Sequence, residues 1–110
     1  MKIAFDIDDT IWKVRTEKPF GQVPDYNLIL VLKWFYDNGD TVYVWSAGGV
    51  NYAQQIVEKL GLEGMVTVIP KGELNTPHPD NPKIDIAFDD CETNLATVDV
   101  KVRRKHINNK

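Results

Sequence analysis

Residues 1–10 read MKIAFDIDDT and residues 84–90 read IDIAFDD. Each runs an apolar stretch straight into carboxylates: Asp6, Asp8 and Asp9 followed by Thr10 in the first, Asp89 and Asp90 in the second. Like charges packed this closely repel one another. A turn rich in Asp after a single strand is commonly only a cap. Two acidic strand ends in one small chain ask for a shared partner.

Working outward, residues 2–5 read as a short buried strand, and 11–24, with Pro19, Gly21 and Pro24, as a loop or irregular hairpin. A helix follows. Asp25 caps its start, Leu28, Val31, Leu32 and Phe35 form its buried stripe, and Gly39 stands where a C-terminal glycine belongs. TVYVWS at 41–46 is β-branched and aromatic, hence a strand. A second helix runs from about Val50 to Leu60 on the stripe Ala53, Ile56, Val57 and Leu60, closed by Gly61. Residues 65–69, 84–88 and 97–102 give three more strands, and the Pro-rich stretch 70–82 a loop.

Strands alternating with helices predict an α/β fold with a mostly parallel sheet of about five strands. At 110 residues the chain is one domain, with a basic tail at about 101–110. Hydrophobic residues at 43% and charged residues at 26% indicate a globular chain. No apolar run approaches the ~20 residues that span a bilayer, and Asp6 interrupts any signal-like stretch. The lone Cys91 excludes an internal disulfide framework. A cytoplasmic protein is the expectation. The net charge of −3 is uneven: the last ten residues, KVRRKHINNK, carry five bases and no acid. Such a tail can touch a polyanion, although a solvated terminus is the plainer reading.

In parallel α/β sheets ligands bind beyond the carboxyl ends of the strands. The residues just past these strands are DIDDT, SAGG, PKG and DD. Acid, hydroxyl and ammonium groups therefore converge at one edge. Five carboxylates there (Asp6, Asp8, Asp9, Asp89 and Asp90) would suit a hard divalent cation, which takes oxygen ligands. Ala47, Gly48 and Gly49 after Ser46 let backbone N–H groups approach an anion at a helix start.

Asp6-x-Asp8-x-Thr10, then Ser46, a lysine and Asp89-Asp90 resembles the four-motif order of the haloacid dehalogenase-like superfamily, over residues 3 to 90. The resemblance implies a single Rossmann-like three-layer domain over residues 1–110. The family inserts caps after the first motif or between strands three and four, and both gaps are short here, the second only residues 70–83, so no cap domain is expected. It implies a magnesium-dependent phosphatase in which Asp6 is the nucleophile and forms an aspartyl-phosphate. Asp8 would protonate the leaving group and then activate water, for which its neutral form must be favoured by nearby acids or low solvation. Mg2+ would be held by Asp6, Asp89, the main-chain carbonyl of Asp8, and Asp90 directly or through its neighbours. Ser46, Ala47 and a lysine would hold phosphate. Lys71 follows the third strand at the correct edge. Lys83 precedes the fourth, which at ~3.3 Å per residue puts it a strand length from Asp89.

Asp8 points to phosphate esters, because carbon–halogen cleaving relatives lack that second Asp. An open, capless site is similar to those acting on bulky substrates: nucleic-acid ends or phosphoproteins, with small phosphorylated metabolites and a homo-oligomer also compatible. Three rivals compete with this reading. An EF-hand register through Asp6, Asp8, Thr10 and Glu17 fails because its glycine position is Ile11. A receiver domain needs an acceptor Asp after the third strand, where this chain has IPKG. The third is a catalytically weak or inactive relative acting as a metal-binding or interaction module. Trp12 and Trp45 either line a substrate entrance or pack; Asp85, Cys91 and His78 are read as structural.

Overall fold

In the computed structural model, residues 1–15, 18–73 and 75–103 are described. Glu17 and most of the basic tail, residues 104–110, lie outside them. The elements are β1 (Lys2–Asp6), β2 (Trp12–Arg15), β3 (Gly21–Pro24), α1 (Tyr26–Asp37), β4 (Thr41–Trp45), α2 (Val50–Lys59), β5 (Val66–Val68), β6 (Ile86–Asp89) and β7 (Val98–Lys101). Five strands form one sheet in the order β5-β4-β1-β6-β7, and every pair in it is parallel. The chain is α/β. Strands β2 and β3 pair antiparallel as a separate hairpin, within the stretch expected to be a loop or irregular hairpin.

Alternation along the strands sorts the core. Ile3 and Phe5 of β1 and Val42 and Val44 of β4 face Ile29 and Leu32 of α1 and Ala53, Ile56 and Val57 of α2. Ala4, Trp45 and Ala87 face the other way, onto Ile69, Ile84 and Leu95. Both helices thus cover one face. The opposite face, where a three-layer domain has its second helical layer, is covered among the described residues by irregular chain flanking β6. Its prolines explain this, since each removes a backbone donor and blocks helix propagation.

Asp25 caps α1 as expected, accepting from the Leu28 N–H at 3.1 Å. The buried stripe differs by rotation: Ile29 and Leu32 are buried and Val31 is exposed. Residues 29 and 31 sit ~200° apart on a helix, and a helix as apolar as this one offers more than one candidate stripe. Trp12 and Trp45 are buried, so both pack. Asp85 accepts the Lys2 N–H at 2.7 Å, and His78 accepts the Asp80 N–H through Nδ1. No helix among the described residues is long and apolar enough to cross a membrane.

The strand order places the site. From β1 the chain builds outward through β4 to β5, then returns to the other side of β1 for β6 and β7. The direction reverses between β1 and β6. Such a switch point opens a crevice beyond the strands' carboxyl ends.

Candidate active site

Phe5 pairs with Phe88 in register, their rings stacked with centroids 4.6 Å apart. The next residue on each strand is Asp6 and Asp89. With successive side chains alternating, the rings enter the helix-side core while the two carboxylates emerge together on the other face. Both are almost wholly buried.

Lys71 reaches them from the far side of the sheet. After β5, Ile69 donates its N–H to the Val44 carbonyl and packs with Trp45 and Ala4, which carries the chain back over β4 and β1. Asn81 Nδ2 donates to the Pro70 carbonyl at 2.6 Å, fixing the residue before Lys71. Gly72 then passes so close to Thr76 that a Cβ on it would lie 2.3 Å from that residue's carbonyl oxygen. Lys71 Nζ donates to Asp89 Oδ2 at 2.7 Å and to Asp6 Oδ1 at 3.2 Å. Lys83 is exposed and precedes β6, at the opposite end of that strand from Asp89.

One ammonium does not balance two buried carboxylates. Burial pushes the Asp6 carboxyl up from 3.8 to about 7, and the Asp89 charge and a hydrogen bond with Asp90 add to this against the pull of Lys71. Burial likewise raises Asp89, opposed by Lys71 and by the Cys91 N–H that donates to its Oδ1. For Lys71 burial works downward, but the Asp6 and Asp89 carboxylates outweigh it and leave the amine above its ordinary value. Buried Thr10 Oγ1 donates to Asp6 Oδ2 at 3.3 Å.

The turn after β1 folds on itself: the Thr10 and Trp12 N–H groups both donate to the Ile7 carbonyl. It presents Asp8 to solvent, exposed, so of the two expected means of favouring its neutral form, nearby acids or low solvation, the second is absent. There its Oδ1 accepts the Tyr52 hydroxyl. Ser46, buried at the end of β4, accepts the Gly48 N–H through Oγ at 3.0 Å, which leaves its own proton to donate. Ala47 is exposed beside it.

Asp6 Oδ1 and Asp89 Oδ2 are both taken by Lys71 Nζ, and Asp90 hydrogen-bonds with Asp6. Among the described residues the group close enough to hold a metal ion leaves Asp6 out. Ligand atoms of Asp89, Asp90 and Cys91 lie within 4.8 Å of one another. Magnesium prefers the oxygens to the thiol. Tyr52 was missed in the sequence because it lies in the apolar-patterned helix α2, six residues past Ser46; no local pattern ties it to Asp8.

Comparison with protein-family models, with curated proteins and with solved structures yields no match.

Proposed function

We propose that the chain is a small, cytoplasmic, capless phosphatase with a Rossmann-like core, of the haloacid dehalogenase-like type, hydrolysing a phosphate monoester with Mg2+. The observation that carries this reading is Lys71 held between Asp6 and Asp89 at the switch point of a parallel sheet. A buried carboxylate beside a cation and a second carboxylate suits attack on phosphorus once a divalent ion offsets the excess charge. Asp6, Asp89, Asp90 and the Asp8 carbonyl would hold magnesium, which supplies charge neutralisation for the phosphate oxygens.

The chain's own groups perform the rest. An Asp6 carboxylate oxygen forms a bond to phosphorus as the bond to the leaving oxygen breaks, giving an aspartyl-phosphate. Asp8 delivers its proton to the leaving alkoxide. It then takes a proton from water, whose oxygen attacks phosphorus and releases Asp6 and inorganic phosphate. Ser46 Oγ–H and the backbone around Ala47 donate to phosphate oxygens, while Lys71 neutralises charge. The open edge admits a small phosphorylated molecule, a nucleic-acid end or a phosphoprotein.

The test is phosphate release from 4-nitrophenyl phosphate, with and without magnesium, by the parent and by Asp6→Asn. Magnesium-dependent release abolished in the variant supports the assignment. Turnover surviving Asp6→Asn in contaminant-free protein sinks the mechanism.

A further inference from the structure

Tyr52 touches three parts of the site from the first turn of α2. Its ring lies against the loop after Ser46, so that a Cβ on Gly48 would stand 3.0 Å from the Tyr52 Cδ2 and 3.3 Å from Ser46 Oγ. Its hydroxyl donates to Asp8 Oδ1 at 2.5 Å. Gln22 of the β2–β3 hairpin hydrogen-bonds to the same hydroxyl. The ring is partly buried against the helix-side core, which anchors it. Asp8, by contrast, is exposed on a turn, and among the described residues Tyr52 is the hydrogen-bond partner of its side chain.

We propose that Tyr52 is a positioning residue that fixes the Asp8 carboxyl, engaging Oδ1 and leaving Oδ2 to serve the leaving-group oxygen. This rests on the phosphatase reading above. An exposed Asp samples several rotamers, and each unproductive one removes the acid from the reaction. A tyrosine held by its own ring packing restricts that freedom at little further entropic cost, having only two side-chain torsions. Gly48 belongs to the same device, because its missing side chain lets the ring come close to the loop after Ser46. Ring placement and acid placement are thus coupled through one side chain.

The deciding variant is Tyr52→Phe, which keeps the ring and deletes the donor. Two readouts are taken. The first is the set of Asp8 Hα–Hβ three-bond couplings by NMR, which need no turnover. One rotamer is expected in the parent and averaging in the variant. The second is kcat/KM for an alkyl phosphate against 4-nitrophenyl phosphate. This ratio reports the transfer to Asp6 and excludes the later water step. An alkoxide needs the proton; 4-nitrophenolate leaves without it. General acids contribute ~10²–10⁴-fold, so loss of orientation should cost about tenfold on the alkyl ester and under about twofold on the aryl ester.

Equal losses on both esters, or unchanged Asp8 couplings, overturn the positioning role while leaving the phosphatase reading intact. A parent inert toward both esters, with Asp8 nonetheless in one rotamer, overturns the phosphatase reading and the positioning role with it. Tyr52→Leu, which discards the ring as well, should additionally weaken the aryl ester reaction by loosening the Ser46 loop.

Discussion

Asp6 and Asp89 end two neighbouring strands and share a single ammonium group, that of Lys71. Their separation in sequence, 6 against 89, vanishes because β1 and β6 pair in register through Phe5 and Phe88. The arrangement leaves excess negative charge inside the protein, and the consequences of that excess can be measured without knowing the substrate.

Lys71→Met should be strongly destabilising in the absence of divalent ions. It removes the ammonium that the two buried carboxylates share, and breaking a buried pair by removing one partner costs about 3–5 kcal/mol. Urea unfolding at pH 8 in EDTA reads the loss directly. Magnesium should restore part of it. A loss under about 1 kcal/mol would show that the two acids are not electrostatically committed to Lys71.

The raised carboxyl of Asp6 fixes the sign of a pH dependence. Between its ordinary value of 3.8 and its folded value of about 7, the native state holds a proton that the unfolded chain has released. Stability contributed by this group therefore falls as pH rises across that window, and is flat above it. Asp89 shifts in the same direction. The raised amine of Lys71 adds stability that is lost only as pH climbs past its ordinary 10.5. Tm against pH in EDTA, parent minus Asp6→Asn, should slope downward from about 4 to 7; an upward slope would contradict the geometry.

How much of this was legible in the sequence follows from which interactions are local. The capping Asp25, the β-branched strand at 41–45 and the two apolar runs ending in Asp are set by neighbours along the chain, and the strand-end rule then gathers Asp6, Ser46, Lys71 and Asp89 at one edge. Lys71 was separable from Lys83 by strand length alone. Three features were not legible. Whether Ile29 or Val31 faces the core depends on how α1 is rotated against β1 and β4, which propensity does not encode. The missing helices on the second face follow from prolines acting over a long connection. The Tyr52–Asp8 contact joins residues 44 positions apart through a helix start and a turn, and neither segment signals the other.

Gly72 illustrates a residue required by close approach rather than by its torsion angles. Ala at this position would force its Cβ against backbone at 2.3 Å, also meeting the His78 nitrogen at 2.8 Å. Backbone cannot step aside as a side chain can, so the loop must shift, at a cost of about 1–3 kcal/mol. Because Lys71 is the preceding residue, the shift should also draw its amine away from Asp6 and Asp89. Gly72→Ala should therefore lower Tm and shrink the further effect of Lys71→Met in the double variant. Additive losses would mean the loop moves without disturbing the lysine.

Lys13 gives a test of a different kind, at an amine bonded to neither Asp6 nor Asp89 in the described contacts. It is buried in the hairpin, and its Nζ donates to the Arg103 carbonyl at 2.7 Å and lies 3.6 Å from Asp25 Oδ2. One amine thus ties β2 both to the cap of α1 and to the chain leaving β7. Lys13→Met preserves the length and apolar stem while removing both contacts, leaving the carbonyl without its charged donor at a cost of about 1–3 kcal/mol. The loss should be local in character. Amide exchange at Val102, whose N–H donates to the Asp89 carbonyl at 2.7 Å, should quicken well before exchange at Phe5 or Val44. Uniform quickening across all three would mean that Lys13 supports the whole domain rather than the seam between hairpin, helix cap and final strand.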